Sequence, residues 1–256
     1  MNDPLVAALI YKVRNDESVD YSNAKPLEHE DDGFRVKVAD GTARFEMKQH
    51  HATEHEARAV VEPFIRNWEF DACFGSRHEH FHLDFDRAEI VDRNPDKGDA
   101  SGSIHVSGAL VGTLEVAAVI KYLRYPPPPP KIDSDHPDVR TLDDRHRRYR
   151  GGEDRLPAFA YYCFTELLRQ AQGGVPEVAR RYNVSRPVLK EIARLSSTKG
   201  GNEARKAVGV EDPYSSDERH FLESALRRLI RRVAEYHGGN GDLPQITMDD
   251  FKADSV

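Results

Sequence analysis

Apolar residues recur with two different periods, and the period changes near the middle of the chain. In FRVKVADGTARFEM, residues 34–47, they alternate: Phe34, Val36 and Val38, then Ala43, Phe45 and Met47. A period of two puts one face of a strand inward. Asp40-Gly41 lies between the two runs and supplies the positive φ of a two-residue hairpin turn. HEHFHLDFDRAEIV, residues 78–91, alternates again through Phe81, Leu83 and Phe85. SIHVSGALVGTLEVAAVIKYL, residues 103–123, reads as one or two further strands, with Gly108 and Gly112 as bulges or close approaches.

One helix interrupts this pattern. Thr53 and Glu56 form a capping box. Ala57, Val60, Val61, Phe64, Ile65 and Trp68 then follow helical spacing. Pro63 lies inside and predicts a kink or a split. After Tyr125 come five consecutive prolines, which favour an extended polyproline spacer.

Beyond the prolines the period becomes helical. Residues 156–171 are apolar nearly all round, predicting a central helix, with Pro157 in its first turn and Gly173-Gly174 at its end. The last helix opens at Ser215 with Glu218 as a second capping box. It presents Leu222, Leu226, Leu229, Ile230 and Val233, and stops at Gly238-Gly239. The fold class is therefore α+β. A β-rich domain, a barrel or sandwich with one packed helix, spans 1–125. A Pro-rich linker covers 126–150, an all-α helical domain 151–239 and a tail 240–256.

EVARRYNVSRPVLKEIARL, residues 177–195, matches a helix-turn-helix. Ala179 is the small residue of the first helix. Tyr182, Val184, Leu189 and Ile192 form the core, Asn183 suits a left-handed turn position, and Ser185 caps the second helix. Arg186, Lys190 and Arg194 would face outward toward a major groove. Any tight helix pair needs the same core, so the pattern serves packing as well as DNA reading. Pro187 puts no polar group where base contacts start.

Charge refines this division. The chain carries 37 Lys+Arg and 44 Asp+Glu, a net of −7. Residues 175–237 hold 13 basic and 9 acidic side chains, +4, which leaves −11 for the rest. Arg227, Arg228, Arg231 and Arg232 form a ridge on the last helix, complementing its dipole or meeting an anionic partner. Hydrophobic residues make up 38 % of the chain and charged ones 32 %, so folded cores are expected. No apolar run has membrane-spanning length and the N-terminus lacks a basic leader, which implies a cytoplasmic protein without a membrane partner. The two cysteines, Cys73 and Cys163, sit among apolar neighbours and read as buried hydrophobes.

The helical half resembles the domain of abortive-infection-type and HEPN-like bacterial proteins. The resembling segments are YYCFTELL, YNVSRPVLKEIARLSS, NEARKA and SSDERHFLESALRRLIRRVAEY. That family's active members cleave RNA without metal through an Arg-x4-6-His pair, and the resemblance implies a link to phage defence or stress. Arg140/His146 and Arg232/His237 have that spacing. Where such domains carry an Ala-Arg-His-like element, this chain has Ala204-Arg205-Lys206. Lysine is a poor proton shuttle at neutral pH, its ordinary pKa being about 10.4. The expectation is a non-catalytic or weakly catalytic binding protein with no assigned catalytic residue. It contacts nucleic acid through Arg186, Lys190, Arg194, Arg205, Lys206, Arg228 and Arg232, or pairs with a protein partner or a second copy.

A second chemistry lies in RHEHFHLD. On a strand His78, His80 and His82 would share one face opposite Phe81 and Leu83. Histidines so spaced bind zinc once a third ligand such as His105 or His50 joins them, which would make the β-rich domain a zinc-dependent enzyme. The same row also serves as the solvated side of an amphipathic strand.

Overall fold

The computed structural model describes residues 4–14, 19–76, 78, 80–92, 120–200 and 212–252. The chain divides into two compact units, residues 1–128 and 129–256, with the boundary inside the proline run. The mixed α+β class and its order, sheet first and helices after, are as expected.

The first unit contains β1 (Pro4–Val13), β2 (Val19–Asp20), β3 (Leu27–Glu30), β4 (Phe34–Ala39), β5 (Thr42–Met47), α1 (Glu54–Phe74), β6 (Leu83–Asp92) and β7 (Ile120–Lys121). Five strands form one antiparallel sheet in the order β3-β4-β5-β1-β6. β2 and β7 form a short parallel pair. Among the described residues this is an open sheet packed on a helix, neither barrel nor sandwich. The apolar face that would demand a second sheet is met by α1 instead, through Ala57, Val61, Ile65, Trp68 and Ala72.

The hairpin forms as its sequence predicts. Asp40 and Gly41 take φ of 50° and 69°, and the flanking residues pair from Ala39↔Thr42 outward. The α1 capping box is present, Glu56 N–H donating to Thr53 Oγ1 at 3.2 Å. Pro63 does not split α1, which runs as one element from Glu54 to Phe74. The proline is exposed, so water can take up the carbonyl that its missing N–H leaves. β1 carries no alternation because it is central: Ala8 and Ile10 are buried as well as Leu9, Tyr11 and Val13. The core is aromatic, with Phe34, Phe45, Phe64 and Trp68 meeting edge to face.

The second unit contains α2 (Pro137–Arg150), α3 (Leu156–Ala171), α4 (Val175–Arg181), α5 (Arg186–Thr198) and α6 (Ser216–His237), then a 3-10 turn at Met248–Phe251. α3 is central, touching α2, α4, α5 and α6. Its chain reversal uses Gln172 at φ 54° rather than either glycine.

Two segments read as linker and tail are structured. α2 occupies most of the stretch assigned to the linker. Val139, Leu142 and His146 form its one buried stripe, and two aliphatic residues in fourteen give almost no periodic signal. The tail returns over the helix-turn: Ser185 N–H donates to Ile246 O at 2.8 Å and Ile246 N–H to Asn183 O at 3.0 Å. Ile246 is fully buried, and Phe251 meets the edge of Phe221.

Candidate functional site

The helical unit holds a cleft of about 250 Å³ lined by His146, Tyr149 and Arg150 of α2, Phe159 of α3, and Glu223 and Arg227 of α6. Helical spacing explains its composition. His146, Tyr149 and Arg150 lie three and four residues apart and so share one side of α2. Glu223 and Arg227 lie four apart on α6. Tyr149 stacks on Phe159, centroids 4.9 Å apart and 5° from parallel, forming an aromatic wall. The Tyr149 hydroxyl donates to Glu223 Oε1 at 2.6 Å and links α2 to α6.

The electrostatics of this cleft are distinctive. Burial pulls His146 down to about 4, helped by Arg150 and Arg147, so it is a neutral imidazole near pH 7. Burial pushes the Tyr149 phenol up, and the bond to Glu223 adds to that shift, so it stays protonated. With Arg150, Arg227 and Glu223 the lining has a net formal charge of +1. An aromatic plane beside guanidinium groups suits a ligand with a flat ring and a phosphate or carboxylate.

Neither Arg/His pair of the expected spacing forms a catalytic dyad. At about 100° per residue, six residues separate Arg140 and His146 by about 120° around α2, and five separate Arg232 and His237 by about 140° around α6. Arg140 is exposed while His146 is buried. Arg232 is buried, 4 % exposed. It donates to Glu235 Oε2 at 3.0 Å and to the carbonyls of Tyr182 at 3.0 Å, Asn183 at 3.3 Å and Pro244 at 2.9 Å. These bonds make Arg232 a pin between the turn that joins α4 and α5 and the returning tail.

The helix-turn-helix geometry is present. α4 and α5 flank a turn in which Asn183 takes φ 48°, and Val188, Leu189 and Ile192 of α5 are buried. Ser185 occupies the N-cap position, but its hydroxyl accepts no capping bond. Arg186 and Lys190 are exposed. Arg194 is held by Glu191 and Glu218, at 2.6 and 3.1 Å. Arg228 pairs with Asp250 at 3.3 Å. Arg205 and Lys206 lie outside the described residues, as do His105 and all of residues 103–119.

The histidine row is not assembled. β6 begins at Leu83, so His78, His80 and His82 precede the strand and do not share a strand face. His78 Nδ1 meets the Tyr21 hydroxyl at 2.9 Å, and its ring stacks on Tyr122. His80 is exposed. His82 Nδ1 lies 2.7 Å from Glu69 Oε1, which raises its pKa. The turn that follows α1 breaks the alternation on which the zinc reading depended. Among the described residues, the histidines and carboxylates close enough to share an ion are His136, Asp138 and His237.

Tyr149, Phe159 and Glu223 were not picked out by sequence reasoning. The signal was the spacing of His146, Tyr149 and Arg150, legible once residues 137–150 are taken as a helix. No family model, curated protein or solved structure matches the chain, so the site rests on its own geometry.

Proposed function

We propose that the helical unit is a non-catalytic binding module that holds a phosphate-bearing ligand, single-stranded RNA foremost, at the cleft between α2, α3 and α6. The observation that carries this reading is the convergence of Arg150 and Arg227 on the stacked Tyr149/Phe159 wall. A base can lie against an aromatic face while guanidinium groups meet its phosphates. His146, neutral and buried, is poorly matched to proton transfer near pH 7. Phage defence or stress as the setting rests on the resemblance of the helical segments alone.

The test is the salt dependence of binding to a labelled single-stranded RNA. Two phosphate contacts give a log–log slope of about −1.4, and Arg227→Gln should reduce it to about −0.7. Arg150→Gln should do the same. Equal slopes in wild type and both variants, or no binding at low salt, overturn the cleft. Shortened RNA after incubation overturns the non-catalytic part.

A second reading has its own observation, the α4–Asn183–α5 geometry. It makes the chain a duplex-DNA reader through Arg186 and Lys190, and loss of duplex binding on Arg186→Ala would favour it. The cleft ranks first because Pro187 exposes no polar group and Arg194 is neutralised by two carboxylates. The remaining pair would give a slope of about −1.8 on duplex DNA, which Arg186→Ala should halve.

A further inference from the structure

We infer that His136, Asp138 and His237 form a divalent transition-metal site, zinc-like in its donor set and separate from the cleft. His237 lies ten residues beyond Arg227 on α6, roughly 15 Å along the helix.

Chain packing builds this cluster. His136 is the N-cap of α2, Asp138 stands in its first turn, and His237 ends α6. Asp133 N–H donates to Ala234 O at 3.0 Å, which lays residues 131–133 across the end of α6. Gly238 permits that crossing, since a Cβ there would sit 2.6 Å from Ile132 Cα. The two imidazoles then stack, centroids 3.4 Å apart and 12° from parallel.

The donor atoms are identifiable. His237 Nε2 is buried and makes no hydrogen bond, although it lies 3.5 Å from Asp138 Oδ2. The same oxygen is 3.9 Å from His136 Nδ1. A tetrahedral ion with bonds of about 2.0–2.1 Å needs ligand atoms about 3.3 Å apart; the three donors lie within 4.8 Å of one another, so side-chain adjustment on the order of 1 Å brings them into range. His136 Nδ1 already carries a lone pair, because it accepts the Asp138 N–H at 3.2 Å. An ion would take over that lone pair and tilt the stacked rings apart. His136 then keeps its proton on Nε2.

The surroundings orient the carboxylate. Arg169 holds Asp138 Oδ1 at 3.3 Å, turning Oδ2 toward the rings, and is itself anchored by Glu166. Asp138, Arg169 and Glu166 together carry −1, which favours a dication. Asp133 and Arg181 act on His237 with opposite signs. Two imidazoles and one carboxylate are the donor types that zinc and its neighbours accept, with a fourth position left for water.

The experiment uses the full chain, stripped with a chelator and titrated with Co²⁺, followed by displacement with Zn²⁺. One equivalent of Co²⁺ with the visible absorption of a tetrahedral nitrogen/oxygen site is expected. His237→Ala should abolish that absorption. Asp138→Asn, which preserves shape, should weaken binding at least tenfold, and Arg169→Gln by ten- to a hundred-fold. His78→Ala should change nothing. Circular dichroism of each variant checks that the helices persist, and Asp138→Asn keeps the test valid if His237→Ala unfolds. No Co²⁺ or Zn²⁺ bound at micromolar concentration overturns the site, as does binding that survives both His237→Ala and Asp138→Asn.

Discussion

Replacing Arg232 with methionine separates a structural role from a surface role at one position. Methionine keeps most of the length and none of the donors. Glu235 would lose its 3.0 Å partner, and three carbonyls, of Tyr182, Asn183 and Pro244, would lose their charged donor. Removing one partner of a buried ion pair costs about 3–5 kcal/mol. Glu235 retains Arg231 at 2.9 Å, which places the expectation at the lower end, about 3 kcal/mol. That is a large fraction of the roughly 5–15 kcal/mol that holds a domain together. For a unit of this size it corresponds to a fall in melting temperature of roughly 10–15 °C. Urea and thermal unfolding followed by helical circular dichroism measure it. Hydrogen exchange adds a local readout: the amides of Ser185 and Ile246, which pair tail and turn, should exchange faster. In combination with Glu235→Gln the losses should be less than additive. A loss below about 1 kcal/mol together with weakened nucleic-acid binding would refute the reasoning and return Arg232 to the surface role its sequence position suggested.

Two further outcomes follow from the same unit. His146 is 4 % exposed and its pKa lies at about 4, below the unfolded value of about 6.5, so between these values the unfolded chain binds the extra proton. Stability should therefore fall by about 3 kcal/mol as pH drops from about 6.5 to 4, and across that window the urea midpoint of wild type should fall further than that of His146→Leu. Asn183→Val should cost about 1–3 kcal/mol, because a β-branched residue resists φ 48° and the 2.8 Å bond from Asn183 Nδ2 to Leu243 O is lost; Asn183→Gly should cost less, and thermal melts of the two decide it.

Features set by a few adjacent residues were legible from the chain alone. Asp40-Gly41 specifies its turn because only residues tolerant of positive φ fit there. The boxes Thr53/Glu56 and Ser215/Glu218 start their helices through bonds three residues apart. The candidate cleft was only partly legible. Arg227 belonged to a visible basic ridge, but Tyr149, Phe159 and Glu223 come from three helices, and one of those is too polar to announce itself. The histidine row misled because alternation continues in the letters 78–82 while the backbone is still leaving α1.

By itself, then, the sequence determined the order of sheet and helices, the hairpin, the caps and the helix-turn-helix core. These depend on periodicity and on bonds within a few residues. The tertiary structure decided how the described strands are ordered, which arginine is buried, that residues 240–251 bind back over a turn sixty residues earlier, and that His136 meets His237. These depend on contacts between distant segments, whose free energy comes from burial and charge pairing that exist only once the chain has folded.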